Sequence, residues 1–337
     1  MTPAWFSEIE PFPAAVLSHH YPDVVNLGDM TQIKDMLSLG ILKAPDVLVG
    51  GTPCQAFSVA GARKGLSDER GQLTIEYVRL LDVLDTERRE SGKPEAVCVW
   101  ENVPGVLSSK DNAFGCFLGA LAGEDDQLQP SGKRWSNAGC VYGPQRAVAW
   151  RVIDAQYFGL AQRRKRVFVV ASARSGFDPT EVLFESEGVR RDIAPIRQTR
   201  EEVASSSQIC IAGNQQSDIA ATLQTTCNDY PRADGFNFVI SFHVNSQPAQ
   251  MKFDEHIAST LTTSQYPGGV FADGTARKFM PIECARLQGF PDDHCRIPWR
   301  GKPADQCPDS PQYKAYGNTK AVPCVQWIGE RLLRAIA

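Results

Sequence analysis

The chain has 337 residues, 42% hydrophobic and 22% charged, with a formal net charge of −4. That balance is ordinary for a globular protein of one or two domains and excludes a collagen-like, low-complexity or wholly disordered chain. It also excludes a globally basic nucleic-acid coat, although phosphate contacts need only a local basic face. Ten cysteines are scattered without a Cys-x-x-Cys pair, and five histidines show no paired spacing, so no metal site is expected. Neither a signal peptide nor an apolar run of membrane length is read, so the cysteines are expected as reduced thiols of the cytoplasm.

From Met1 to about Ser175, short apolar runs alternate with helical patterns, which predicts a mostly parallel sheet. Residues 46–52 read as a buried strand that runs into the tripeptide Pro53-Cys54-Gln55. Ligands of open α/β sheets bind beyond the carboxyl ends of strands, so Cys54 is a candidate nucleophile there. The alternative for the tripeptide alone is one more small, buried cysteine. Residues 72–90 form a helical pattern with Leu73, Tyr77, Leu80, Leu81 and Leu84 on one face. Residues 97–105 read as an apolar strand ending in Glu101, then Asn102 and turn residues. A carboxylate after a buried run is expected in a cleft. A second helix is predicted over residues 113–122 through Phe114, Phe117, Leu118 and Leu121. Gln162-Arg163-Arg164-Lys165-Arg166 opens another buried strand, whose alternation lets Arg164 and Arg166 face one site. Cys98, Cys116 and Cys324 lie in apolar stretches and read as core.

After Ser175 the composition turns to Ser, Thr, Asn, Gln and Gly with short β-branched runs, up to about Ala276. Ile209-Cys210-Ile211 and residues 238–242 read as strands of a small irregular domain. Residues 219–226 and 257–264 form an imperfect repeat, either chance or two related strand–turn units. Residues 283–287 read as a helix stopped by Gly289-Phe290-Pro291. Gly317-Asn318-Thr319 leads into a last helix carrying Val325, Ile328, Leu332 and Leu333.

A cysteine, a carboxylate and paired arginines, each at a strand–loop junction, make a coherent catalytic set. Five segments resemble, in order and over nearly the whole chain, the cytosine-5 DNA methyltransferases. They are Gly51-Thr52-Pro53-Cys54-Gln55-Ala56-Phe57-Ser58, Glu101-Asn102-Val103, the Gln162 to Arg166 run, residues 283–291 and Gly317-Asn318-Thr319. The resemblance implies a Rossmann-like, S-adenosylmethionine-dependent methyltransferase sheet with a second, smaller, irregular β-rich domain. It implies a catalytic and cofactor-binding domain over residues 1–175 plus 310–337, and a target recognition domain over 176–309.

It also implies the chemistry. Carbon 5 of cytosine is a poor nucleophile until a thiolate, here Cys54, adds to carbon 6. Glu101 is then the proton donor at ring nitrogen 3, Arg166 holds the base carbonyl and orients Glu101, and Arg164 is a supporting cation. The reacting carbons lie inside the duplex stack, so the base must be flipped out. The residues do not identify the base that removes the carbon 5 proton. For S-adenosylmethionine, the resemblance implies Glu8 on the ribose hydroxyls, as in dinucleotide folds, and Ile9 beside the adenine. Asp29 and Met30 follow, with Pro53, Leu73, Asn318 and Thr319. For double-stranded DNA it implies Gln55, Ser58, Arg63 and Lys64 of a closing loop, Arg163, and Thr260 with Leu261 near the flipped base.

Family members begin with a strand and a Phe-x-Gly-x-Gly turn that holds the methionine end of the cofactor. No such turn is found here, so the chain reads as an amino-terminally truncated member. That favours a catalytically silent relative that binds DNA. Intact Cys54, Glu101 and Arg166 favour a site-specific DNA (cytosine-5-)-methyltransferase, working as a monomer and paired with a cognate restriction endonuclease. A transfer-RNA methyltransferase of the same fold is a third reading, against which the long polar recognition region weighs.

Overall fold

The computed structural model describes residues 1–52, 69–185, 240–243, 267–270 and 276–337. The side chains of 69–72, 240–243, 267–270 and 276–278 are not described. The chain divides into two compact units. The first comprises Met1–Ile153, Lys165–Val189 and Gln326–Ala337, and the second Asp154–Arg164 and Arg190–Val325.

The first unit opens with α1 (Pro11–His20), whose first helical residue is a proline that needs no amide partner there. The short α2 (Ile33–Ser38) buries Ile33 and Leu37. Then follow β1 (Val47–Gly50), α3 (Glu69–Glu90), β2 (Val97–Asn102) and α4 (Ala113–Ala122). The unit continues with β3 (Ala138–Tyr142), β4 (Ala147–Asp154), β5 (Lys165–Ser172) and α5 (Pro179–Leu183).

Five strands form one sheet in the order β1-β2-β5-β4-β3. β1 and β2 are parallel, from Val47 opposite Val97 to Gly50 opposite Trp100. The expectation of a mostly parallel sheet needs correction, because β2 pairs with β5 antiparallel and β3 pairs with β4 antiparallel. Connection length is the physical reason. A parallel crossover needs a dozen or more residues, which the α3 connection supplies between β1 and β2. Only residues 143–146 separate β3 from β4, too few for a crossover.

The core lies on both faces of β2, where Val97, Cys98 and Trp100 are fully buried. α3 begins three residues earlier than the apolar pattern predicted (Glu69 against Gln72) and buries Tyr77, Leu80, Leu81 and Leu84, with Leu73 half-buried. α4 packs Phe117 on Trp100 with ring centroids 4.4 Å apart, and sets Phe114 edge-on to Trp135 and Trp150. An ion pair is sealed into this core. Arg146 donates through Nε and Nη2 to Asp85 Oδ2 at 3.0 and 2.7 Å, and through Nη1 to the Leu121 carbonyl. Cys98 and Cys324 are buried as read, whereas Cys116 is half-buried.

In the second unit, β6 (Ile240–His243), β7 (Pro267–Val270) and β8 (Ala276–Lys278) form an antiparallel sheet. β6 overlaps the strand predicted over 238–242. Residues 209–211 and both copies of the imperfect repeat lie outside the described residues. α6 (Pro281–Gln288) ends at Gly289 with φ +80°, where a side chain would strike Pro323 at 2.7 Å. α7 (Asp309–Asn318) follows, and α8 (Val322–Ile336) runs from this unit's last residues into the first unit. Among the described residues, no helix is long and apolar enough to cross a membrane.

Candidate active site

Parallel pairing of β1 and β2 brings their carboxyl ends to one edge of the sheet, and three groups meet there on Thr52. Asn102 Nδ2 donates to the Thr52 carbonyl at 2.7 Å, and Trp100 Nε1 donates to Thr52 Oγ1 at 3.0 Å. Thr52 Oγ1 also shares a hydrogen bond with Thr74 Oγ1 of α3 at 2.7 Å. All four residues are buried. Pro53, Cys54, Gln55, Ser58, Arg63 and Lys64 lie outside the described residues, as do Thr260 and Leu261.

Strand alternation sends Trp100 and Asn102 to one side of β2 and Glu101 to the other. Glu101 stands opposite Phe168 in the β2–β5 register, which makes Arg166 its diagonal neighbour. Arg166 Nε lies 2.9 Å from Glu101 Oε1, with the two side chains 15% and 11% exposed. The contact is a close ion pair that buries Glu101 Oε1. Burial lowers the Arg166 pKa from its ordinary value, and the Glu101 carboxylate offsets part of that.

Arg164 belongs to the second unit and precedes β5. Its guanidinium donates to the carbonyls of Gly317 at 3.1 Å and Thr319 at 2.6 Å, and its backbone amide donates to Asp154 Oδ1 at 3.1 Å. A cation here suits the carboxyl end of α7, where the helix dipole is negative. Arg164 thus grips the segment that carries exposed Asn318 and half-buried Thr319. Arg163 is exposed.

Glu8 and Asp29 are brought together by a residue that the sequence reading passed over. Asn26 Oδ1 accepts from the Glu8 and Gly28 amides at 2.9 and 3.3 Å, and its Nδ2 donates to the Glu8 carbonyl at 2.9 Å. Phe6 and Asn26 form a parallel bridge, and Ser7 Oγ donates to the Gly28 carbonyl at 2.7 Å. Glu8 is half-buried, Ile9 is 75% exposed, Asp29 is exposed and Met30 half-buried. In sequence, Asn26 two residues before a glycine looks like any turn residue. The bonds from Thr74 and Trp100 to Thr52 are equally silent in sequence, since they join residues 22 and 48 positions apart.

An α/β sheet that presents a carboxylate and an arginine at one strand edge is a framework common to many transferases. The family model for C-5 cytosine-specific DNA methylases matches residues 1–334, and the chain belongs to that family. Members use S-adenosylmethionine as the methyl donor. An Escherichia phage P1 protein described as a DNA N-6-adenine-methyltransferase is 41% identical over 443 residues, a match that covers all of this chain and 59% of that protein. The chain therefore spans less than two thirds of the length of that relative. The type II methyltransferase M.HhaI of Haemophilus parahaemolyticus is 27% identical over 312 residues, covering 89% of this chain and 78% of that one. Among solved structures, a putative DNA modification methyltransferase from an E. coli prophage aligns with TM-score 0.56 at 17% identity, covering 98% of this chain and 91% of that one. The S. pombe Dnmt2 methyltransferase aligns with TM-score 0.55 at 14% identity, covering 99% and 91%. These two likenesses show the methyltransferase fold.

Proposed function

We propose that the chain is a site-specific DNA (cytosine-5-)-methyltransferase that methylates carbon 5 of a cytosine flipped out of double-stranded DNA. The observation that carries this reading is the buried ion pair of Glu101 Oε1 with Arg166. Glu101 lies at the end of β2, the parallel neighbour of the strand that leads into Cys54.

The residues present fit the donor. Asn26 ties the Glu8 backbone to the Gly28 amide, with Ile9 and Asp29 the next residues along the chain from each. Such a set suits a ribose diol and an adenine ring. S-adenosylmethionine, when bound, supplies an electrophilic methyl group on a sulfonium.

In this reading the Cys54 thiolate forms a bond to carbon 6, and the ring's electron pair becomes available at carbon 5. Glu101 donates a proton to nitrogen 3, with Arg166 holding its carboxyl group in place. After methyl transfer, the carbon 5 proton leaves to a base, the bond from Cys54 to carbon 6 breaks, and nitrogen 3 returns its proton to Glu101. The thiolate is thereby regenerated. Residues 176–309, with Thr260 and Leu261, are proposed to read the target, and Gln55, Ser58, Arg63, Lys64 and Arg163 to contact DNA. A cognate endonuclease is the partner that similarity to type II methyltransferases suggests.

The description of the phage P1 relative raises adenine N6 as a second target. That amine attacks a methyl donor with its own lone pair and needs no thiol adduct, so Cys54 would have no role. The test is methyl transfer from labelled S-adenosylmethionine to DNA, followed by nucleoside analysis. The expected product is 5-methylcytosine, abolished by Cys54→Ser with DNA binding retained. N6-methyladenine alone, or transfer that persists in Cys54→Ser, rejects the reading. Binding without transfer by the parent chain marks a silent relative.

A further inference from the structure

Two short segments of the first unit run parallel where Phe6 faces Asn26. The Phe6 amide donates to the Val25 carbonyl at 2.9 Å, and the Leu27 amide donates to the Phe6 carbonyl at 2.8 Å. Past that point the Asn26 side chain takes over from the backbone. Its Oδ1 accepts from the Glu8 and Gly28 amides at 2.9 and 3.3 Å, and its Nδ2 donates to the Glu8 carbonyl at 2.9 Å. A carboxamide carries the acceptor and the donor of a peptide unit, so it adds one more step to the ladder. Ser7 Oγ donates to the Gly28 carbonyl at 2.7 Å across the same junction. These groups are exposed or only partly buried, so water could pair them and the bonds add little net stability. What they fix is the path of the two segments as they diverge.

Each diverging segment carries a carboxylate, and both carboxylates are tied to their own backbone in the same way. Glu8 Oε1 accepts from the Glu10 amide at 2.7 Å, and Asp29 Oδ1 accepts from the Thr31 amide at 2.9 Å. Thr31 Oγ1 donates to the same Asp29 oxygen at 2.9 Å. A carboxylate held by the amide two residues further on goes where its backbone goes. Asn26 grips both backbone groups of Glu8 and the amide of Gly28, the residue before Asp29, which turns with φ +71°. It therefore governs how the two carboxylates are placed relative to each other. We propose, on the strength of the methyltransferase reading of Glu8 and Asp29, that Asn26 is a positioning residue for the methyl donor. It holds those two residues where they can bind the adenosine portion of S-adenosylmethionine.

The test is a double-mutant cycle on the full chain, read by calorimetry with S-adenosylhomocysteine, which binds without turning over. Asn26→Ala is expected to weaken binding by about tenfold in the parent, within the range of couplings between neighbouring residues. In a Glu8→Ala background the same change should cost less than about threefold, because the group it positions is gone. In turnover the loss should fall on the KM for S-adenosylmethionine and not on kcat. If Asn26 only braced the fold, Asn26→Ala would weaken binding by the same factor in both backgrounds. That result overturns the proposal, as does an Asn26→Ala affinity within about twofold of the parent. A parent that binds no S-adenosylhomocysteine overturns it too. The nucleoside product tests the cytosine reading separately. N6-methyladenine from a parent that shows the coupling rejects that reading and upholds the role of Asn26. Should Glu8→Ala bind too weakly to measure, Glu8→Gln takes its place. Should Asn26→Ala not fold, Ser7→Ala loosens the same junction from an exposed position and completes the same cycle.

Discussion

Replacing Arg146 by methionine tests the account of the core. The Arg146 side chain is 0% exposed and its partner Asp85 1% exposed, and two guanidinium nitrogens reach the same carboxylate oxygen. Burial opposes the charge on Arg146, yet the Asp85 and Asp82 carboxylates outweigh it and hold the guanidinium pKa above its ordinary value. Arg146→Met fills most of the volume but strands the Asp85 carboxylate, leaving it the Ala96 amide at 2.9 Å. Breaking a buried pair from one side costs about 3–5 kcal/mol, and this variant is expected in that range. The bond to Asp82 adds little, because that carboxylate is 45% exposed. Urea unfolding followed by circular dichroism measures the loss. Adding Asp85→Leu removes the stranded charge, so the double variant should be more stable than Arg146→Met alone. A single variant within about 1 kcal/mol of the parent, or a double variant as unstable as the sum of its parts, would refute the reasoning.

Three further outcomes are expected. Glu101→Gln should slow single-turnover methyl transfer by about two to four orders of magnitude while DNA binding persists; a near-normal rate removes Glu101 from the chemistry. Burial pushes the Cys98 thiol from an ordinary 9.0 up to about 12, so the folded chain holds that proton more tightly than the unfolded one. Its contribution to stability is therefore intact below about pH 9 and lost as pH rises towards about 12, at roughly 1.4 kcal/mol per pH unit between them. In unfolding measured from pH 8 to pH 12, Cys98→Ala should show a shallower alkaline decline than the parent. Gly50→Ala would place a methyl 2.6 Å from the Tyr77 ring, which is pinned by hydrogen bonds to the Leu48 and Val99 carbonyls. It should lose about 1–3 kcal/mol, whereas Gly105→Ala, with nothing within 4 Å, should not; equal melting temperatures for the two variants would contradict this.

Local periodicity made some elements fully legible. Phe114, Phe117, Leu118 and Leu121 recur at helical spacing, and α4 has the boundaries that this spacing predicts. Gly289 ends α6 because glycine takes the left-handed backbone there without strain and has no Cβ to strike Pro323. Strand direction was not legible, since a buried run such as residues 167–171 has the same composition whether it pairs parallel or antiparallel. The Glu101 and Arg166 pair was anticipated by resemblance. Arg164 was expected to face the same site as Arg166 by strand alternation, but β5 starts one residue after it, so alternation does not govern its side chain. The bonds of Asn26, Thr52 and Thr74 escaped notice because their partners are distant in sequence and their residue types are common in turns and cores.

The chain passes between the two units four times, at residues 153/154, 164/165, 189/190 and 325/326. Exchanging residues 190–325 for those of a relative would leave residues 154–164 behind in the recipient. Arg164 would then sit on one parent's side of the seam, and Gly317 and Thr319 on the other's. What Arg164 grips, however, is main-chain carbonyl oxygen. Hybrids can therefore inherit this joint whatever side chains the donor brings, provided its backbone follows the same path.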